Sequence, residues 1–569
     1  MNRTQPRPEG VDITMPDAIS SSSIRWAIGA VILTLVVRFV AQVYWHRRLM
    51  HGRPGPAHSW IWGSLPVMGK VMAKMPRRVA PQALPLMVKD EYNLGDYFFL
   101  DPFPMGDPIM VVLNTDMMHD VTVKRSLPKH PEVDKFMKHL GGPGNLVSSE
   151  GAEWKKWRAA FNPGFSLAHL TTLVPVIVDE CSTFCDLMTI NAKNNTLFRM
   201  EQATTRLTID IIGKVVLDTS FGSQHGPNEL VDSFAKQVRW QRIGAAFAPW
   251  ELVDFRRPFA QAYYTWKMDR YIGKELDKRF ESRRTRGKSK AVVDLALEAY
   301  MKEVKGHSGD DLDNITTLDP EFKKAAIANM KTFIFAGHDT TSGTICYAYY
   351  YLSRDPAALA KIRDELDTVF GTCSPSESAA NVAAQLKADP KLLNKLTYTL
   401  AVTRETLRLQ PPASTVRMGQ KDVSIRDPAT GEQIPTEHMM IWPVDVGMHR
   451  STKYWDEPHT FQPARFLAET DTTANFASNP AWIAFSKGTR NCIGQELAML
   501  ETKVILAMTL RAWRFDAAYA DLALLKGDGS GYPSDVDGVQ LLFGEEAYQI
   551  QLGTAKPREG MPCRLALRG

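Results

Sequence analysis

Ten residues near the C-terminal end, 485–494 with the sequence FSKGTRNCIG, constrain this chain more tightly than any other stretch. They set Cys492 between Gly488 and Gly494 in a short basic loop, and a helical pattern follows at once over residues 495–510. Glycines at these places let the backbone turn sharply and approach a flat group closely. Backbone N–H groups at the start of the following helix can point at the cysteine sulfur and stabilise a thiolate. Phe485 can cover the sulfur side against water, and Arg490 offers a fixed cation to an anionic group. A buried free thiol is the ordinary reading of a lone cysteine in a glycine turn. The spacing F-x-x-G-x-R-x-C-x-G fixes five positions at once, which a lone thiol does not need. An axial thiolate on a haem iron does need them.

Three further stations stand along the chain. Residues 320–353 carry no internal proline and read as one long helix, with Asp319 as cap, Pro320 in the first turn and Glu321 at the positive end of the dipole. Inside it lies AGHDTT, residues 336–341. Glycine in a helix costs about 1 kcal/mol, so Gly337 needs a reason, and room for oxygen over the iron is one. Asp339 and Thr340 form an acid–alcohol pair able to relay protons through water; an isolated DTT is more often a polar helix end. His338 reads as a satisfied polar residue. Glu405 and Arg408, three apart, share a face of a helix that stops before Pro411-Pro412, a spacing that on a surface makes a minor ion pair. Trp154 and Arg158, four apart in GAEWKKWRAAF, share a helix face, as any amphipathic helix could arrange.

Together these residues resemble the cytochrome P450 family, from about residue 50 to the end. The resemblance implies a mainly α fold with smaller β-sheets, preceded by one transmembrane helix. It implies haem b with Cys492 as the iron ligand and Phe485, Gly488, Arg490 and Gly494 framing the haem loop. Asp339 and Thr340 match the family's oxygen-activation motif. Glu405 and Arg408 match its E-x-x-R. Its third partner is the arginine of P-x-R-F, here Arg465 in Pro463-Ala464-Arg465-Phe466, with alanine where an acid is common. The implied role is a buried Glu405–Arg408–Arg465 network bracing the haem-loop side. Trp154 and Arg158 match a W-x-x-x-R that contacts a haem propionate, and Arg417 resembles a second propionate arginine. Arg490 and Arg158 rank ahead of Arg417.

The implied activity is monooxygenation: one oxygen atom enters a lipophilic small molecule and the other leaves as water. Electrons must come from outside, because no G-x-G-x-x-G after a strand, flavin domain or iron–sulfur spacing is present. NADPH acting through a separate cytochrome P450 reductase is the implied source. Lys155, Lys156 and Lys487 offer it a cationic landing face, unless they are plain solvated charges. By resemblance the pocket draws on Phe333, Ala336, Ala413 to Val416, residues 130–148, 239–262 and 554–562. The whole-sequence style is that of fungal members acting on secondary metabolites such as polyketides or terpenoids.

Residues 26–45, WAIGAVILTLVVRFVAQVYW, are long and apolar enough to cross a bilayer. Trp26, Tyr44 and Trp45 mark the two interfaces, and Arg38 lies close enough to one end to snorkel. A cleaved signal peptide and a buried core helix are the rivals. The basic residues after the span favour a cytosolic C-terminal side, hence a single-pass protein of the endoplasmic reticulum membrane. The organisation is a short luminal tail (1–25, with a weak glycosylation sequon at Asn2), the anchor (26–45), a basic Pro/Gly linker (46–57) and a single catalytic domain (58–569). Residues 524–545 read as a long surface loop. A net charge of +5, from 68 basic and 63 acidic residues, is too mild for nucleic acid. The six cysteines show no disulfide framework, and Cys181 and Cys185 read as buried thiols.

Two other classes share parts of this pattern. A reductase-independent haem-thiolate isomerase or dehydratase acting on a peroxide would have little use for Asp339-Thr340. A non-enzymatic haem-binding scaffold would need none of the proton-relay residues.

Overall fold

The apolar stretch 26–45 is the inner part of a helix, α1 (Ser21–Met50), in this computed structural model, which describes residues 21–76, 78–241, 254–286, 291–306, 315–467, 479–532 and 540–568. Asn2, residues 242–253 of the 239–262 stretch and residues 533–539 of the 524–545 loop lie outside the described residues. Every side chain from 25 to 42 is exposed, and α1 is the one helix among the described residues long and apolar enough to span a membrane. The helix continues into the segment expected to be a linker. Arg47 there is fully buried, donating to Asp101 Oδ2 at 2.5 Å and to the carbonyls of Ile61 at 3.0 Å and Phe103 at 2.8 Å. Arg53 lies 4.8 Å over the Phe99 ring. Residues 46–57 therefore join α1 to the domain through a buried ion pair and a stacked cation rather than as free chain.

The elements that place the site follow in chain order. They are β1 (Tyr97–Leu100), β2 (Ile109–Val112), α2 (Gly151–Phe161), α3 (Met200–Leu217), α4 (Arg256–Arg286), α5 (Pro320–Arg354), α6 (Thr397–Leu409), β3 (Arg417–Met418), β4 (Met440–Pro443), α7 (Asp445–His449), α8 (Gln495–Thr509), β5 (Gln549–Leu552) and β6 (Thr554–Pro557). The fold is mainly helical with small sheets, as expected. One sheet runs β1-β2-β4-β3, with β2 and β4 parallel (Ile109 opposite Met440) and the other pairs antiparallel. β5 and β6 form a hairpin against α5.

α5 is the axis of the core. Asp319 accepts the N–H of Phe322 at 2.9 Å, Pro320 occupies the first turn, and the helix runs to Arg354 with most of its length buried. Thr332, Thr340 and Thr344 return their hydroxyls to carbonyls four residues earlier, at 2.9, 2.8 and 3.0 Å, so an apolar helix absorbs these three polar side chains. Phe161, Phe165 and Phe333 meet edge to face on one side of α5, each ring worth about 1.5–3 kcal/mol of burial. Cys181, Cys185, Cys346 and Cys563 are buried free thiols, as the spacing predicts for the first two.

Candidate active site

The loop 485–494 is closed by the Cys492 N–H donating to the Phe485 carbonyl at 3.0 Å and that of Asn491 to Gly488 at 3.1 Å. Gly488 is required twice: its φ is +81°, and a Cβ there would stand 2.4 Å from the Thr122 carbonyl oxygen. Gly494 differs from expectation. Its φ of −87° suits any residue, and its contribution is position: it caps α8 and its N–H points at the Cys492 sulfur. The Cys492 side chain is open to the cavity, yet the protein packed around it pushes the thiol up, while the Gly494 N–H and the Arg158 guanidinium pull it back toward the thiolate.

Arg158 grips the loop. Its Nη1 and Nη2 donate to the carbonyl and side-chain oxygens of Asn491 at 2.9 and 3.0 Å, and its Nε to Asn162 at 2.8 Å. Arg490 stacks 4.4 Å over Trp154 and spends Nη2 on the Ser149 carbonyl (2.7 Å) and Glu150 (2.9 Å), leaving Nη1 without a partner. Arg417 is fully buried, and none of its three guanidinium nitrogens has a partner. The expected ranking of the propionate arginines is therefore reversed: Arg417 has the most unmet demand, Arg490 less, and Arg158 is already satisfied by amide oxygens.

Lys129 joins them. It bridges the backbone of Arg417, donates from Nζ to Thr415 Oγ1 at 2.6 Å, and is driven well below the usual lysine range by burial and by Arg417 and Arg490. Motif reading missed it, because SLPKHPEV carries no spacing signal and only the fold lays it beside Arg417. Burial lowers Arg417 to about 10, and Arg490 adds to that. Cations collected in low dielectric depress one another and call for anions. The two propionates of a haem would answer that demand, and the Cys492 sulfur would suit its iron. These residues fit the group.

A cavity of about 560 Å³ lies between Cys492 and Phe485 on one side and Ala336 and Thr340 of α5 on the other. Phe136, Ala413 to Val416 and Thr554 also line it, as expected, and Pro412 joins them. Phe333 does not: two residues of helical rotation turn it into the core against Phe161 and Phe165, and Phe335 takes the wall instead. Gly337 also faces away. A Cβ there would meet Ile212 of α3 at 3.0 Å, so the glycine permits close helix packing, and Ala336 is the small residue at the cavity. Of the 239–262 stretch, Gln241, Phe255, Pro258 and Gln261 line a neighbouring cavity of about 920 Å³ that shares Glu132, Phe136 and Trp442 with the first. Phe103, which stacks on Phe39 of α1, borders it.

Asp339 and Thr340 part company in space. Thr340 lines the cavity, whereas Asp339 turns toward α3 and β6. Its Oδ2 accepts the Thr554 N–H at 2.8 Å and its Oδ1 pairs with Lys556 Nζ at 2.7 Å. Lys556 also pairs with Glu201 at 2.5 Å, and Tyr532 donates to Glu201 at 3.0 Å. Burial raises the Asp339 carboxyl, but Lys556 and His338 outweigh it and hold it below the usual range. Lys556 is held well above its usual value by Asp339 and Glu201 against the same burial. His338 Nδ1 donates to the Ile334 carbonyl, in keeping with its reading as a satisfied polar residue.

Glu405, Arg408 and Arg465 come together in a buried network that reaches the loop. Arg408 uses all five N–H donors: two on Glu405 (2.7 and 2.8 Å) and three on the carbonyls of His449, Pro458 and Thr460 (2.6, 2.7 and 3.1 Å). Arg465 reaches Glu405 at 3.3 Å, so alanine at 464 has not disturbed it. His449 Nε2 in turn accepts the Ile483 N–H at 2.9 Å, two residues before Phe485. Of the three lysines expected as a landing face, Lys156 is engaged by Glu321 and lies over Trp157, Lys487 donates to the Pro480 carbonyl at 3.2 Å, and Lys155 is exposed.

A thiol presented to a cavity, opposite a threonine-bearing long helix and beside buried unmatched cations, defines a haem-thiolate oxygenase site. The chain belongs to the cytochrome P450 family, whose model matches residues 56–522. It is 36% identical over 556 residues to the cytochrome P450 monooxygenase polC of Polytolypa hystricis, covering 97% of both chains. It is also 36% identical over 512 residues to the cytochrome P450 monooxygenase acrF of Aspergillus aculeatus (86% of this chain, 98% of that protein). To human cytochrome P450 4Z1 it is 26% identical over 511 residues, covering 84% and 89%.

Proposed function

We propose that this P450 monooxygenase is anchored by α1 in the endoplasmic reticulum membrane, with its catalytic domain cytosolic. It oxidises a lipophilic small molecule, a fungal secondary metabolite of polyketide or terpenoid type, with electrons from NADPH through a separate reductase. The observation that carries the reading is the cavity set between Cys492 and Thr340, lined by Arg490 and Lys129, with the unmatched Arg417 following the lining residue Val416. Haem b, ligated by Cys492, supplies the activation of dioxygen and the transfer of one oxygen atom.

The chain's own residues do the rest. Arg417 and Arg490 would take the propionates through free guanidinium nitrogens, with Lys129 adding charge. Asp339 holds a proton acceptor just behind the cavity wall, and Thr340 Oγ1 presents a hydroxyl at that wall. Lys556, Glu201 and Tyr532 continue the polar line from Asp339 toward the edge of the fold. The apolar lining excludes bulk water, and the neighbouring cavity beside Phe103 and α1 gives an apolar molecule a route from the lipid side. The two relatives named as cytochrome P450 monooxygenases, from Polytolypa hystricis and Aspergillus aculeatus, are matched over nearly their whole length and support the monooxygenase reading.

The test is turnover of the purified protein with the compound that accumulates when its gene is deleted. Product that requires NADPH, reductase and dioxygen supports the reading. Product formed from a hydroperoxide without them overturns it.

A further inference from the structure

The wall of the cavity formed by β4 and α7 carries a carboxyl group that none of the haem-binding or oxygen-activating roles uses. Asp445 follows Pro443 and Val444 directly, so the cavity-lining strand delivers it to the cavity edge, where its side chain is 4% exposed. Its Oδ1 accepts the N–H of its own neighbour Val446 at 2.8 Å. The Ser414 hydroxyl lies against the same carboxyl and is itself held by Trp442, whose Nε1 donates to Ser414 Oγ at 2.9 Å. Ser414, Trp442 and Asp445 all line the cavity. No cation pairs with Asp445 among the described residues.

A buried carboxyl without a counter-ion is expensive in an apolar wall. Burial pushes Asp445 up to about 7, against the pull of the Val446 N–H and the Ser414 hydroxyl. As the first residue of a short helix it gains a little from the local backbone dipole, which an exposed aspartate would gain as well. Nothing in that role requires the carboxyl to be turned to a substrate cavity, beside an oriented serine. A few polar groups set among mainly apolar walls are how small-molecule sites fix orientation, and here Asp445 and Ser414 stand beside Pro443 and Ala413.

We propose that Asp445, positioned by Ser414 and Trp442, accepts a hydrogen bond from a hydroxyl group of the substrate. The class of substrate is then a lipophilic alcohol, already oxygenated at the end held on β4, presenting a hydrocarbon region to Ala336 and Thr340. The reaction that supplies it must leave a hydroxyl, as an earlier hydroxylation or ketone reduction does. This inference rests on the haem-thiolate reading above and adds the handle by which the substrate is oriented.

The test uses the haem-loaded protein and a set of N-alkylimidazoles of graded chain length, ending either in methyl or in hydroxyl. Imidazole binding to the iron shifts the Soret band, so each affinity is read optically and without turnover. At the chain length that reaches β4, wild type is expected to favour the hydroxyl tail over the methyl tail. Asp445→Leu should reduce that preference about tenfold, the worth of one hydrogen bond to a buried carboxyl, and Asp445→Asn, which keeps an acceptor oxygen, should retain it. A wild-type protein that prefers methyl tails at every length overturns the inference before any variant is made. An undiminished hydroxyl preference in Asp445→Leu overturns it as well. Absence of any Soret shift with any imidazole would instead contradict the haem reading, so the two failures are distinguishable.

Discussion

Replacing Glu405 by glutamine tests whether the brace behind the haem loop is a charge-neutral buried unit. Both Glu405 and Arg408 are fully buried. Glu405 Oε1 serves the Arg408 Nη2 at 2.8 Å, the Gln462 N–H at 2.8 Å and Arg465 Nε at 3.3 Å; Oε2 serves the Arg408 Nε at 2.7 Å. Glutamine keeps one acceptor and turns an NH₂ toward one arginine donor. The Arg408 cation would then be left with three neutral carbonyls and no counter-charge. Removing one partner of a buried pair costs about 3–5 kcal/mol, a fifth or more of a typical total of about 5–15 kcal/mol. Because Arg408 holds the His449 carbonyl and His449 holds Ile483, the loss should be felt at Cys492. The assay is denaturant unfolding followed by far-ultraviolet dichroism and by the Soret band in parallel. Glu405→Gln should lower both midpoints, with the Soret signal failing first. Arg465→Ala, which removes a longer, partly exposed contact to Glu405 and a hydrogen bond to the Glu457 carbonyl but leaves the Glu405–Arg408 pair intact, should cost clearly less. A Glu405→Gln penalty below about 1 kcal/mol, or one no larger than that of Arg465→Ala, would refute the reasoning.

The His449 imidazole is depressed to about 3 by burial and by Arg408, from 6.5, so it stays neutral and accepts the Ile483 N–H. The unfolded chain takes up that proton first as pH falls, so its stability contribution is full above pH 6.5 and lost between 6.5 and about 3. His449→Gln should flatten that limb of a stability–pH curve; an unchanged limb removes His449 from it. Arg417→Met should weaken haem retention by about 10- to 150-fold, the worth of charge-assisted hydrogen bonds, measured as transfer to apomyoglobin, and Arg490→Met should weaken it less. Equal effects would undo the ranking drawn from their free nitrogens. Lys556→Met leaves Asp339 buried without its cation, so its carboxyl should rise and proton delivery should slow. The expected readout is more peroxide per NADPH and less product, by about 10²-fold or more in coupled turnover; unchanged coupling would separate Lys556 from the proton route.

What the sequence revealed, and what it hid, follows from how far apart the interacting residues lie. The long helix, the loop around Cys492 and the Glu405–Arg408 pair were legible because their chemistry is written within ten residues or one helical face. Arg465 was legible because its motif is local too. The free state of Arg417 was not, since it depends on which neighbours spend their donors on Asn491, Ser149 and Glu150. Lys129 and Lys556 were not, because each meets its partner across hundreds of residues or a β-bridge. Gly337 and Phe333 were misread in phase: a helix wheel gives a face, but only packing against α3 and Phe161 says which face is the cavity. Asp445 carries no motif, and its significance appears only when β4 is seen lining the same cavity as Ser414.

The central claim is that Cys492 holds a haem as a thiolate, and the Soret band of the reduced, carbon monoxide-bound protein tests it most directly. Wild type should show the red-shifted band of a thiolate-ligated haem, and Cys492→Ser should abolish that band. A red-shifted band that survives in Cys492→Ser would contradict the account.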